Sequence, residues 1–342
     1  MARSKKLPLE CPALIGREAE LETLEQLLAE AAAGSGRLAL ISGADGAGRT
    51  CLLAELGQRV NLRQPFLWQA AGWPYDAICP YATLLRLCES AHAGAGEEEQ
   101  EQGDSASADG AAPGGAAPGG ADLQRAVATV AACVAAETPA WDVFANAAPV
   151  DPGDERRRCL RLLLDGLRQV SASGPVLITL DDAHLADEMT WAFLRELAPL
   201  LPRLPLLVVL AYRDEPAPPD ALLATIAALA RWTAPTRLPL APLAPGESAA
   251  LARALLPPRE SLSPTLEAAL FAVARGQPYA VASLLAVWRA EEAAGAAAGG
   301  PGAAGAKAIP LPQSAREAVR WQVARLSARA RDLLAELAIT RG

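Results

Sequence analysis

Lysine, histidine and aromatic residues are scarce in this chain of 342 residues. Only three lysines stand among its 31 basic residues, so arginine carries nearly all of the positive charge. No run of about 18 residues is free of charge and proline, which excludes a typical transmembrane helix. The basic first ten residues are not followed by an apolar stretch of signal-peptide length. We therefore expect a cytoplasmic protein that makes no contact with a membrane.

The six cysteines form neither a CxxC pair nor a cluster with histidine. Zinc sites and disulfide frameworks normally show such spacing. In a cytoplasmic protein we expect these thiols to be reduced. The net charge of −8 also argues against binding nucleic acid through bulk electrostatics, so no direct DNA binding is expected.

Short apolar runs alternate with helical patterns in the first two thirds of the chain. Alternation of this kind predicts an α/β fold with a parallel sheet covered on both faces. The five predicted strands are Leu38–Ile41, Phe66–Ala70, Val176–Leu180, Leu206–Ala211 and Arg237–Leu240. We expect them to form an α/β core over residues 1–241.

Two segments of low complexity interrupt the chain. Residues 94–121 are acidic and then repeat Ala-Ala-Pro-Gly-Gly, a composition that cannot bury enough apolar surface to fold, so we predict disorder there. Strand signals stop after Pro242, and residues 242–294 read as short helices forming a helical lid. Residues 295–308 form an Ala/Gly linker, and residues 309–342 begin a further helical domain that stops early.

A glycine-rich octapeptide, which we call the phosphate loop, follows the first predicted strand and opens a helix. Its residues are Gly43, Ala44, Asp45, Gly46, Ala47, Gly48, Arg49 and Thr50. Glycines let several backbone N–H groups point into one concavity, and the helix N-terminus favours a phosphate there. The alternative is a glycine-rich turn without a ligand. Arg49 stands where the GxxxxGK[ST] pattern has lysine, and that exchange is not conservative at a tight site.

Acidic and basic side chains follow two later strands. Asp181 ends a buried strand, where it can hold Mg²⁺ together with the Thr50 hydroxyl, and Asp182 can orient a water. The alternative is that Asp182 or Asp187 only caps the next helix. Arg213 follows the fourth strand and could reach a terminal phosphate, or could pair with Asp214 or Glu215 at the surface.

These motifs together predict a P-loop nucleotide-binding core over residues 1–241. They resemble the signal-transduction ATPases with numerous domains (STAND), a branch of the AAA+ superfamily. The resemblance is to the Orc-like AAA module at the front of large LuxR-type bacterial regulators. It rests on the phosphate loop and on five further stretches, which are Leu14–Glu18, Leu180–His184, Tyr212–Arg213, Arg275–Pro278 and Ile309–Pro312. Gln277 and Leu185 depart mildly from the family pattern, and Arg49 departs from it more seriously.

The resemblance implies a role for each matched position. Ile15, Gly16 and Arg17 would approach the adenine and ribose, and Pro278 would meet the base from the lid. The phosphate loop would be the Walker A motif and Asp181 with Asp182 the Walker B motif. Arg213 would be the sensor arginine. No catalytic role is assigned to His184.

The implied function is an ATP/ADP-controlled, Mg²⁺-dependent switch that regulates an effector such as a transcription regulator beyond Gly342. Because of Arg49, hydrolysis is expected to be slow or absent, and self-association is left open. One alternative is a module that holds nucleotide as a structural ligand without turnover. A second is an Orc-type DNA-associated ATPase, against which the acidic charge counts.

Overall fold

A computed structural model describes residues 14–61, 66–76, 79–90, 152–257 and 261–298. Within them the chain forms five strands, β1 to β5. In chain order these are Arg37–Ser42, Phe66–Ala71, Val176–Asp181, Leu206–Tyr212 and Pro235–Pro239. The predicted disordered segment 94–121 and the predicted helical segment 309–342 lie outside the described residues.

All five strands belong to one parallel sheet with the order β2-β3-β4-β1-β5. The central strand β4 is buried along its whole length, and β1 is buried at its four middle positions. Continuous apolar runs are expected where both faces of a parallel sheet are covered. The predicted five-stranded α/β fold is therefore confirmed.

Nine helices occur in the described parts of the chain. In chain order, α1 to α9 are Glu18–Ala32, Arg49–Asn61, 82–90, Pro152–Ser173, Glu188–Leu197, Asp220–Ala230, Pro245–Ala254, Pro264–Ala274 and Pro278–Ala298. The leucine stripe of α1 is buried, as its helical spacing predicts. Because α9 continues to Ala298, residues 295–298 are helical rather than part of the linker assigned to them.

The strand register brings the loops that follow three strands to one edge of the sheet. Ser42, the last residue of β1, pairs with Tyr212, the last residue of β4. Gly43 and Arg213 therefore leave the sheet side by side. Asp181, the last residue of β3, pairs with Ala71 at the end of β2. Ligands of open α/β sheets bind outside the carboxyl ends of strands, so this edge is where a site is expected.

The described chain divides into two compact units. The core unit contains residues 19–45 and runs from Arg49 to Leu240. The second unit contains residues 14–18, Gly46–Gly48 and the helices from Ala241 onward. The tip of the phosphate loop is thus grouped with the C-terminal helices, a division that residue composition did not predict.

One sequence expectation about cysteine was wrong. Cys51, in the first turn of α2, is disulfide-bonded, whereas the thiols of Cys79 and Cys88 are free. Burial raises the pKa of the Cys88 thiol to about 12. Over the described ranges, no group of three or more His, Cys, Asp or Glu side chains could hold a metal ion. None of the described helices is both long and apolar enough to cross a membrane.

Candidate functional site

The phosphate loop joins β1 directly to α2, which begins at Arg49. Gly46 and Gly48 have φ angles of 78° and 96°, values that L-residues with a side chain rarely adopt. Glycine is therefore required at both positions for the chain to turn this sharply. This strand, turn and helix are the local structure that a phosphate-binding loop needs.

Arg49 folds back into the loop that precedes it. Its Nη1 donates hydrogen bonds to the carbonyl oxygens of Gly43 and Ala44, the second at 3.0 Å. Its Nη2 donates to Oδ1 of Asp182 at 3.2 Å, and only 6% of the side chain is exposed. The guanidinium thus joins the phosphate loop to the residue after β3.

Thr50 and Asp181 are in direct contact. The Thr50 hydroxyl donates to Oδ2 of Asp181 at 2.6 Å, across 131 residues of sequence. Burial raises the pKa of the Asp181 carboxyl, and the Thr50 hydrogen bond acts against that rise. Hydroxyl and carboxylate oxygens are ligands that Mg²⁺ prefers, so these two side chains could hold such an ion.

Asp182 and Asp187 have different structural roles. Asp187 is the N-cap of α5, and its carboxylate accepts from the N–H groups of Met189 and Thr190. Asp182 precedes the short turn Ala183–Leu185 in a left-handed conformation, with φ of 42°, and its side chain makes no capping bond. Helix capping therefore accounts for Asp187 but not for Asp182.

Three nitrogen-bearing side chains face one oxygen of Asp182. Besides Arg49, Nε of Arg213 lies 3.7 Å from Oδ1 and Nδ1 of His184 lies 4.0 Å from it. Arg213 also donates from Nη1 to Oδ2 of Asp45 at 3.1 Å. In the described part of the chain, its ion pairs are with these two residues and not with Asp214 or Glu215.

Several polar nitrogens at this edge are buried but lack a hydrogen-bond partner among the described residues. They are Nε of Arg49, Nε of Arg213 and Nδ1 of His184. A buried polar atom without a partner is costly, so one edge with three of them suits an anionic ligand. Burial lowers the pKa of His184; the charge of Asp182 acts against this fall, and both arginines add to it.

Sequence reasoning gave His184 no role, yet it belongs to this cluster. The signal that could have revealed it was its position two residues after Asp182 in a turn that returns to the same strand edge. Five predicted site residues, Asp45, Arg49, Asp181, Asp182 and Arg213, meet around that edge in the core unit. Thr50 meets them through Asp181.

Gly43 and Ala44 also lie in the core unit, and the remaining predicted residues lie in the second unit. Arg17 is buried, and its Nη2 donates to the carbonyl oxygens of Ala47 and Ala241. Gly16 has a φ of 70°, and a β-carbon there would approach Leu243 to 2.8 Å. Ile15 packs on the apolar cluster of the C-terminal helices.

The start of α9 contacts the tip of the phosphate loop within the same unit. Tyr279 donates its N–H to the carbonyl oxygen of Gly46 at 3.2 Å. A β-carbon on Gly46 would approach Cβ of Tyr279 to 2.7 Å, and one on Gly48 would lie 3.8 Å from Pro278. Pro278 thus lies at the loop tip together with Tyr279, which the sequence motifs did not predict as a site residue.

Known proteins with similar chains and folds were found by comparison. An uncharacterized protein of Rhizobium meliloti (strain 1021) is 28% identical over 280 residues, which are 78% of this chain and 24% of that protein. The ORC2 protein of Aeropyrum pernix, solved in ADPNP-ADP complexes, is 14% identical with a TM-score of 0.51, covering 93% and 71% of the two chains. At that identity the likeness shows the fold alone.

A STAND protein with a tetratricopeptide repeat sensor from Pyrococcus horikoshii is 15% identical with a TM-score of 0.39, covering 81% of this chain and 31% of its own. The chain therefore spans about a quarter of its curated relative and less than a third of this structure. A family model described as AAA ATPase domain matches residues 13–209, more than half of the chain. The protein belongs to the AAA ATPase domain family.

Proposed function

We propose that this chain is a Mg²⁺-dependent ATP/ADP-binding switch module with slow or absent hydrolysis. The observation that carries the proposal is the 2.6 Å contact between the Thr50 hydroxyl and the Asp181 carboxylate. A hydroxyl and a carboxylate, both of the oxygen type that Mg²⁺ prefers, thus lie beside the phosphate loop, which supports binding of a magnesium-nucleotide complex there. The positive charges of Arg49 and Arg213, whose Nε atoms lack acceptors among the described residues, support an anion at the same edge.

The proposed output is control of an effector, such as a transcription regulator of the LuxR type. Support for a further domain comes from the length of the Rhizobium relative, of which this chain spans 24%. Lid position would report which nucleotide is bound. The proposal also includes a cytoplasmic location, a role in bacterial regulation and self-association.

A second candidate function is a module that keeps its nucleotide without cleaving it. The specific observation in its favour is the ion pair between Arg49 and Asp182. An aspartate that already accepts from a guanidinium is a poorer acceptor for the proton of an attacking water. Release of phosphate from ATP in a single turnover would exclude this second function.

Purified protein is expected to bind ATP and ADP in the presence of Mg²⁺. A ligand that binds only the folded state adds about 2.7 kcal/mol of stability at 100 times its Kd. Isothermal titration and thermal unfolding with millimolar nucleotide measure this. Absence of any heat or thermal shift at that concentration would contradict the proposed function.

Asp181→Ala is expected to reduce the affinity gain that Mg²⁺ gives to ATP by about tenfold or more, because an oxygen next to the ion is lost. ATP titrations with Mg²⁺ and with EDTA give this gain for each protein. Asp165→Ala is the matched control, because Asp165 is exposed and pairs with Arg168 on one helix face. An unchanged gain in Asp181→Ala would show that the carboxylate does not serve the metal.

A further inference from the structure

Asp45 is an unusual side chain for a phosphate loop. It is the only acidic residue between Gly43 and Thr50, and 73% of its side chain is exposed. A carboxylate opposes the approach of a phosphate through its charge. Its position therefore calls for a function beyond completing the turn.

The partner of Asp45 is the arginine that follows β4. Nη1 of Arg213 donates to Oδ2 of Asp45 at 3.1 Å, across 168 residues of sequence. The register that pairs Ser42 with Tyr212 puts the two loops next to each other. About a third of the Arg213 side chain is exposed, so one part of the guanidinium is accessible to a ligand.

We propose that Asp45 is a positioning residue that sets the preference between ATP and ADP by competing with the terminal phosphate for Arg213. The proposal rests on the proposed nucleotide binding at this loop. With ADP bound, Arg213 keeps its ion pair with Asp45. With ATP bound, the additional phosphate takes Asp45's place as the partner of Arg213.

The strengths of the two contacts support this exchange. An ion pair with a largely exposed carboxylate is weak, because water competes for both charges. A guanidinium binds a phosphate through two parallel hydrogen bonds, which is a stronger arrangement. ATP must still displace the carboxylate, whereas ADP need not, so Asp45 disfavours ATP more than ADP.

Asp45→Asn is expected to raise the ratio of the ADP Kd to the ATP Kd about fivefold, the fold-change that loss of one exposed ion pair gives. Isothermal titration of each nucleotide with Mg²⁺ measures the ratio. Asp45→Glu keeps the carboxylate and should leave the ratio near the parent value. Asp165→Asn, at an exposed surface pair, should not move it.

A double-mutant cycle separates competition for Arg213 from a general effect of charge. In an Arg213→Gln background, Asp45→Asn should change the ratio of the ADP Kd to the ATP Kd by no more than about twofold, because the guanidinium for which Asp45 and the phosphate compete is absent. A full fivefold change in that background, or no change in Asp45→Asn alone, would overturn the inference while leaving nucleotide binding intact. If the parent binds neither nucleotide, the proposed function falls first and this inference falls with it.

Discussion

Arg49→Lys is expected to speed ATP cleavage on the order of 100-fold while changing ATP affinity much less. Both side chains are cationic, so the attraction to the phosphates in the bound state is largely kept. Phosphoryl transfer depends on charge placed where it develops in the transition state. A misplacement of about 1 Å can cost on the order of 100-fold in rate, and the planar, longer guanidinium is misplaced relative to a compact ammonium.

The contacts of Arg49 give this expectation a second cause. One of its terminal nitrogens donates to two loop carbonyls and the other to Asp182. A lysine has a single nitrogen and cannot reach both carbonyls and Asp182 in this forked way. Lysine would therefore leave Asp182 free to accept a hydrogen bond from the attacking water.

Single-turnover cleavage of ATP by parent and variant decides the matter, with ATP affinity measured on the same preparations. Adding Asp182→Asn to Arg49→Lys should remove most of the gain in rate. Arg168→Lys is the matched control, because Arg168 pairs with Asp165 on an exposed helix face. A parent that is already fast, and no faster with lysine, would show that arginine is a competent substitute here.

Asp187→Ala is expected to destabilise the core unit by about 4 kcal/mol. The carboxylate is 1% exposed and accepts five hydrogen bonds. The donors are the backbone N–H groups of Tyr81, Thr83, Met189 and Thr190 and the Thr190 hydroxyl. Truncation leaves these donors buried without an acceptor, each at a cost of about 1–3 kcal/mol that is only partly additive.

The loss includes more than a helix cap. The bonds to Tyr81 and Thr83 hold the segment that enters α3, where Tyr81 has a positive φ of 67°. Such a conformation persists only when its surroundings determine it. Denaturant unfolding measures the change, and the melting temperature should fall by about 10 °C. Asp165→Ala should change stability by less than about 0.5 kcal/mol, and equal losses in both variants would refute the special role of Asp187.

The positions of the short apolar runs in the sequence were sufficient to predict where the strands of the sheet lie. Each predicted strand overlaps an observed one, because uninterrupted apolar runs between turn residues leave few other places for a buried strand. The fifth strand was the least well placed: it begins at Pro235 and ends at Pro239, whereas its apolar pattern began at Arg237. Its residues are mostly not buried, so hydrophobicity was a weak guide there.

The ion pairs of the site could not be predicted from the sequence in the same way. Arg213 was expected to find either a phosphate or an acidic neighbour in sequence, but its partners are 168 and 31 residues away. These partners follow from the sheet order, which places β4 between β3 and β1, and no local pattern encodes that order. The cluster of His184 with Asp182 depends likewise on how one short turn returns to the strand edge. The disulfide of Cys51 is a further long-range feature that cysteine spacing did not show.

The prolines of β5 have a consequence for association between chains. Leu240 donates its N–H to the carbonyl oxygen of Ser42 in β1. Because N–H groups alternate in direction along a strand, the even-numbered residues of β5 point their N–H groups toward β1. Pro235, Arg237 and Pro239 then occupy the outward positions, and two of these three have no N–H to donate. This border of the sheet cannot offer the continuous row of donors that an incoming strand needs. In the described part of the chain, growth of the sheet by strand addition, whether in aggregation or in peptide capture, is therefore disfavoured on the β5 side.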